Sequence, residues 1–153
     1  MTATNSPEPE CRRYMKVYRV MKPHLEDPNR PRPGKESCCL GVRDGEMPVD
    51  AEGMTGPGHK KGMSVNASLE TIAPQLVPPQ YGNRVEGPGG KKSHWVWTMG
   101  KGPFINGPLA PRLQLDCDGG DHGLAEPDGR MLHSQYVEAL ADTQADWSIV
   151  KPI

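Results

Sequence analysis

The chain has 153 residues, and Lys+Arg 18 against Asp+Glu 19 leaves a formal net charge of -1, so no global field draws it to DNA or to a membrane surface. A hydrophobic content of 35%, one phenylalanine, 18 glycines and 17 prolines exclude a helical bundle, because Gly and Pro interrupt nearly every window. A single compact β-rich or α+β domain fits, and no run approaches the length of a membrane-crossing helix.

Residues 1–13 read as a disordered tail ahead of one domain spanning 14–153. The opening "MTATNSPEPE" lacks an apolar run, so a cytoplasmic protein without a secretory signal peptide is expected. Delivery by a machine that needs no cleaved signal is compatible with that. Residues 14–21 alternate as a first strand, with Met15, Val17, Arg19 and Met21 on one face. A guanidinium on that face needs an anionic partner or an open cleft.

A Pro-rich loop follows, and 40–43 is predicted as a short strand. A long loop then leads to a short strand at 63–65. Residues 68–73 suit one or two helical turns, with Ser68 as N-cap and Pro74 as stop. After a second Pro/Gly loop, the alternation of "HWVWTM" at 94–99 predicts the central strand. "GKGPFINGPLAP" reads as turn, "LQLDC" at 113–117 as strand, Gly119-Gly120 as turn, and 122–126 as another strand. The clear helix is 134–145, with Val137, Leu140, Ala141 and Gln144 along one side. Residues 149–150 are placed as an edge strand.

Phosphate loops and metal motifs are not evident. Gly90-Lys91-Lys92-Ser93 has the wrong spacing for a Walker motif, and no Cys-x-x-Cys or His-x-x-x-His pair occurs. The four cysteines, Cys11, Cys38, Cys39 and Cys117, match no disulfide framework and read as reduced thiols. No nucleophile elbow is present, and no carboxylate spacing favours a hydrolase. The loop Gly56-Pro57-Gly58-His59-Lys60-Lys61 recurs as Gly87-Pro88-Gly89-Gly90-Lys91-Lys92. Such loops can set N–H groups and ammonium heads near an anion, although solvated turns use the same residues.

A scattered polar set stands at strand positions. Arg19 can hold a pyrophosphate through two N–H groups. Ser64, straight after the strand entry Gly62-Met63, can bond a ribose; a neutral His122 can accept from a sugar hydroxyl. Each also has a plain account: Arg19 paired with Asp116 or Glu138, Ser64 closing a turn, His122 satisfied in the core.

In order and spacing the chain resembles the NAD-dependent, ADP-ribosyltransferase-like toxin family delivered by type VI secretion, which has bacterial and fungal relatives. The shared pattern runs through Tyr18-Arg19, Gly62-Met63-Ser64-Val65, the strand ending at Met99, Pro111-Arg112-Leu113-Gln114-Leu115, His122-Gly123-Leu124-Ala125-Glu126-Pro127, and Met131-Leu132 entering the helix. The resemblance implies a compact, mostly antiparallel β fold of mono-ADP-ribosyltransferase type with a C-terminal helix, and NAD in a cleft between two small sheets. It also implies a toxin that acts in the cytoplasm on a macromolecular target and meets an immunity or antitoxin partner. Arg19 would then contact the cofactor phosphates or ribose, Ser64 would support the nicotinamide ribose, and His122 would line the cleft. Glu126 or Glu138 would supply the carboxylate, with Glu126 preferred. Tyr18, Trp95 and Trp97 are placed to stack on a ring of the cofactor, Trp97 foremost, with core packing as the alternative for the tryptophans.

Two other classes compete. A small RNA-directed toxin would use Lys60, Lys61, Arg84, Lys91 and Lys92 on phosphates. A non-catalytic immunity or interaction protein would need none of these roles.

Overall fold

The computed structural model describes residues 15–82 and 89–152; the predicted tail, Cys11, Tyr14 and Arg84 lie outside them. Seven strands form one antiparallel sheet in the order β5 (Gly107–Ala110), β6 (Leu113–Cys117), β7 (His122–Pro127), β3 (Met63–Asn66), β1 (Val17–Met21), β4 (Trp95–Met99) and β9 (Ser148–Ile149). Two short strands, β2 (Met54–Thr55) and β8 (Met131–Leu132), pair separately. One helix, α1 (His133–Ala141), follows β8 directly. The mostly antiparallel α+β class is as expected.

Alternation decides which face each strand buries. Register places Val17, Arg19 and Met21 of β1 on the same face as Trp97 and Met99 of β4. Met63 and Val65 of β3 share a face with Gly123 and Ala125 of β7, and Leu113 and Leu115 of β6 continue it. These apolar side chains, with Leu40, Val42 and Met47 from the long loop and Tyr136, Ala139 and Leu140 from α1, make one core. On the opposite face, Val20 and Val96 pack under Ile72, Val77 and Tyr81 from three short 3-10 turns between β3 and β4.

Several local expectations shift. Residues 40–43 form no strand; only Leu40 bridges, to Pro33, because this segment is a cover over the core face and not a ladder member. Strand β5 arises where a turn is predicted, since Pro108 and Gly107 are tolerated on a sheet edge. The helix ends four residues early, after which 144–146 tighten into a 3-10 turn. Its buried side is Tyr136, Ala139 and Leu140, rotated from the Val137–Gln144 stripe. Tyr136 sets that rotation: its hydroxyl donates to the Ala125 carbonyl and accepts from the Met63 N–H at 3.2 Å. Burial drives its pKa well above the ordinary phenol value.

Tyr136→Phe leaves the buried Met63 N–H without that acceptor and is expected to cost about 1–3 kcal/mol. A urea denaturation midpoint equal to wild type, at equal m, would show that the hydroxyl contributes nothing.

Candidate functional site

The sheet is two halves held together narrowly. Between β1 and β3 the register consists of Tyr18↔Asn66 alone. By contrast, β1 pairs along its whole length with β4, and β3 along its whole length with β7. Beyond Tyr18↔Asn66 the halves part, and Arg19 bridges the gap. Its Nη1 donates to the Ser64 carbonyl at 2.8 Å, while Nε and Nη2 donate to the Cys39 carbonyl at 3.2 and 2.9 Å. A side chain therefore takes the place of ladder hydrogen bonds there.

This resolves the apolar-face arginine. Its partners are main-chain carbonyls, not Asp116 or Glu138, which pair with Lys60 and Arg112 instead. Burial lowers the guanidinium pKa, and Cys38, Glu46, Cys39 and Tyr136 oppose that shift. With three of the five guanidinium N–H groups engaged, two are left for a ligand. Cys38 holds the acceptor in place: at φ 60 it occupies the left-handed region, and its own carbonyl accepts from the Lys22 N–H at 2.7 Å.

A cleft of about 290 Å³ opens at this parting, walled by Arg19, Ser64, Asn66, Cys38, Arg43 and Glu46 among others. Ser64 is exposed on β3 and borders the cleft from the sheet face opposite that of Arg19. Glu46 is half-buried, with 27% of its side chain exposed, and accepts from the Arg43 N–H at 3.2 Å across a tight turn through Gly45 (φ 79). The site thus joins a fixed cation, a free hydroxyl and a carboxylate. Glu46 was missed from sequence because its only local signature is an ordinary turn; nothing in the chain order ties it to Arg19.

Of the residues expected at the site, Arg19 and Ser64 come together in the cleft. His122 lies on the same sheet face as Ser64, opposite Asn66, but its Nδ1 is 2.7 Å from Asp118 Oδ1, and it does not wall the cleft. Glu126 is 3% exposed and internally engaged: it accepts from the Gly58 N–H at 3.1 Å and from Gln114 Nε2 at 2.6 Å. Its carboxylate anchors the first basic loop over the sheet and does not wall the cleft, where Glu46 stands instead. Tyr18 packs against the smaller core, with Lys16 Nζ 5.7 Å from its ring centroid. Trp97 is wholly buried and donates to the Met21 carbonyl at 2.9 Å, so it is a core residue and cannot stack on a ligand. Trp95 meets Tyr81 edge to face at 6.5 Å.

The basic loops separate. Lys60 pairs with Asp116 at 3.4 Å, whereas Gly89, Gly90 and Lys91 border a second groove. Among the described residues, no three His, Cys, Asp or Glu side chains cluster to hold a metal, the described cysteines are free thiols, and no helix is long and apolar enough to cross a membrane. No known protein family, characterised protein or solved structure matches this chain.

Proposed function

We propose that the parting between β1 and β3 binds NAD as a substrate and cleaves its bond to nicotinamide, with ADP-ribose passing to a macromolecular acceptor. The observation that carries this reading is the convergence of Arg19, Ser64 and Glu46 on one cleft at the opening of a split sheet. In such a reaction the ribose C1–nitrogen bond breaks and nicotinamide leaves with the electron pair. The ribosyl group then carries oxocarbenium character until the acceptor's nucleophile bonds to C1 and loses its proton. A carboxylate beside the ribose stabilises that positive charge, a role for Glu46. The two remaining Arg19 N–H groups hold a phosphate or ribose oxygen, and the Ser64 hydroxyl bonds the ribose. Action as a cytoplasmic toxin countered by an immunity protein belongs to the same proposal.

Glu46→Gln keeps the shape and the turn but removes the charge. Nicotinamide release from NAD is expected to fall at least about 100-fold in kcat, with KM little changed and the unfolding midpoint preserved. Equal kcat in the two proteins removes Glu46 from the chemistry; no release by wild type removes the reaction itself.

A further inference from the structure

Beside the cleft, and sharing the loop of residues 36–38 with it, lies a wider groove of about 490 Å³ bordered by Lys22, Gly90, Lys91 and His94. His94 stands just before β4. Its backbone is fixed from two sides: its N–H donates to the Lys91 carbonyl at 3.0 Å, and its carbonyl accepts from Gln80 Nε2 at 2.8 Å. The residue is only 8% exposed, and its ring nitrogens, which have no hydrogen-bond partner among the described residues, are not sealed from solvent. Such a nitrogen can meet water or a ligand that enters the groove.

The surroundings say what kind of partner. Burial foremost, and then Lys22, Lys91 and Arg32 through their charges, lower the pKa of His94. The opposing carboxylate, Glu36, sits 3.2 Å from Lys22 with 79% of its side chain exposed, so it compensates weakly. Arg32 is partly engaged, Nε donating to the Pro23 carbonyl at 3.0 Å. The segment carrying Lys91 is held close: a Cβ at position 90 would fall 2.1 Å from the Leu76 carbonyl oxygen, and the Gly90 N–H donates to the Val77 carbonyl at 2.8 Å. Glycine there lets the chain press against the 3-10 turns and brings Lys91 alongside the imidazole.

We propose that this groove is a phosphate-binding site, with His94 as the inner donor and Lys22 and Lys91 as flanking cations, and that its ligand is the diphosphate of a nucleotide. A phosphate offers the imidazole N–H an acceptor in place of water. It also relieves the mutual repulsion of several cations gathered on one ring, which a neutral ligand would leave in place. The groove stands on its own geometry. Its assignment to the same molecule that enters the cleft rests on the NAD reading, with residues 36–38 bordering both spaces.

The test uses the full chain titrated with inorganic pyrophosphate, followed by the His94 ring signals in NMR spectra, which His94→Gln identifies by their disappearance. A saturable shift is expected, with the midpoint of the His94 titration moving up when pyrophosphate is bound. Lys91→Met should weaken binding about tenfold or more; Lys101→Met, an exposed lysine away from the groove, should not. Lys91 is exposed, so this variant reports even where His94→Gln folds poorly. Tighter binding of ADP-ribose than of pyrophosphate supports a nucleotide ligand; equal binding supports the phosphate site and overturns the nucleotide assignment. An unmoved His94, or equal affinity in the two lysine variants, overturns the site. Pyrophosphate bound at His94 without any nicotinamide release from NAD supports the groove and counts against the cleavage reaction. Release of nicotinamide without any His94 response does the reverse.

Discussion

Arg19→Met is expected to lower the unfolding free energy by about 3 kcal/mol and to abolish ligand binding in the cleft. Three hydrogen bonds from one cation reach two main-chain carbonyls, at 2.8 Å on Ser64 and at 3.2 and 2.9 Å on Cys39. Bonds to a charged donor contribute about 1.5–3 kcal/mol each, and an orphaned half-buried acceptor costs about 1–3 kcal/mol. Part of that is offset, since methionine avoids the desolvation that lowers the Arg19 pKa. The guanidinium stays charged across the working range, so the loss should not vary between pH 5 and 9. Arg19→Lys reaches one carbonyl at a time and should recover less than half of the stability. Urea midpoints at constant m measure this. A midpoint within experimental error of wild type for Arg19→Met would mean that the two half-sheets are held by Tyr18↔Asn66 and their cores alone.

The second large effect is in the core. Trp97→Ala should cost about 4 kcal/mol, through lost burial and the cavity left behind. The indole has no exposed surface, belongs to the same core as Val17, Met21, Tyr136 and Leu140, and closes on the Met21 carbonyl at 2.9 Å. For a chain of this length the melting temperature should fall by about 8–16 °C. Trp97→Phe keeps part of the volume and loses the hydrogen bond, so an intermediate loss separates the two contributions. A drop below about 1 kcal/mol for alanine would indicate that the site collapses around the gap. The same burial is why Trp97 cannot serve as a stacking platform for a cofactor.

The legible part of the chain was its strands. Period-two alternation at Val17–Met21, Trp95–Met99 and Leu113–Cys117 marks strands directly, since each side chain's face is decided by its own parity, whereas His122–Pro127 is buried on both faces. Short elements were harder. β2, β5 and β8 carry little pattern of their own and exist because a neighbouring strand offers unpaired N–H and C=O groups. The helix was legible in position but not in facing, because one hydroxyl on Tyr136 binding Met63 and Ala125 outweighs a stripe of aliphatic positions.

Within the site, the oddity of Arg19 among Met15, Val17 and Met21 was visible from residue order, and Ser64 after Gly62-Met63 stood out as a candidate beside it. What the order left open was the partner of each polar group. Glu126 and Glu46 both follow unremarkable residues, yet one is enclosed by Gly58 and Gln114 while the other faces the cleft. His122 and His94 divide likewise: one sits against Asp118 four residues away, the other is largely buried near the neighbouring Lys91 and the distant Lys22 and Arg32. Local chemistry alone determined the class of the protein, its strands and the presence of a misplaced guanidinium. Only the folded chain decided which carboxylate and which imidazole border an open space, because that depends on groups that are tens of residues apart until the sheet closes.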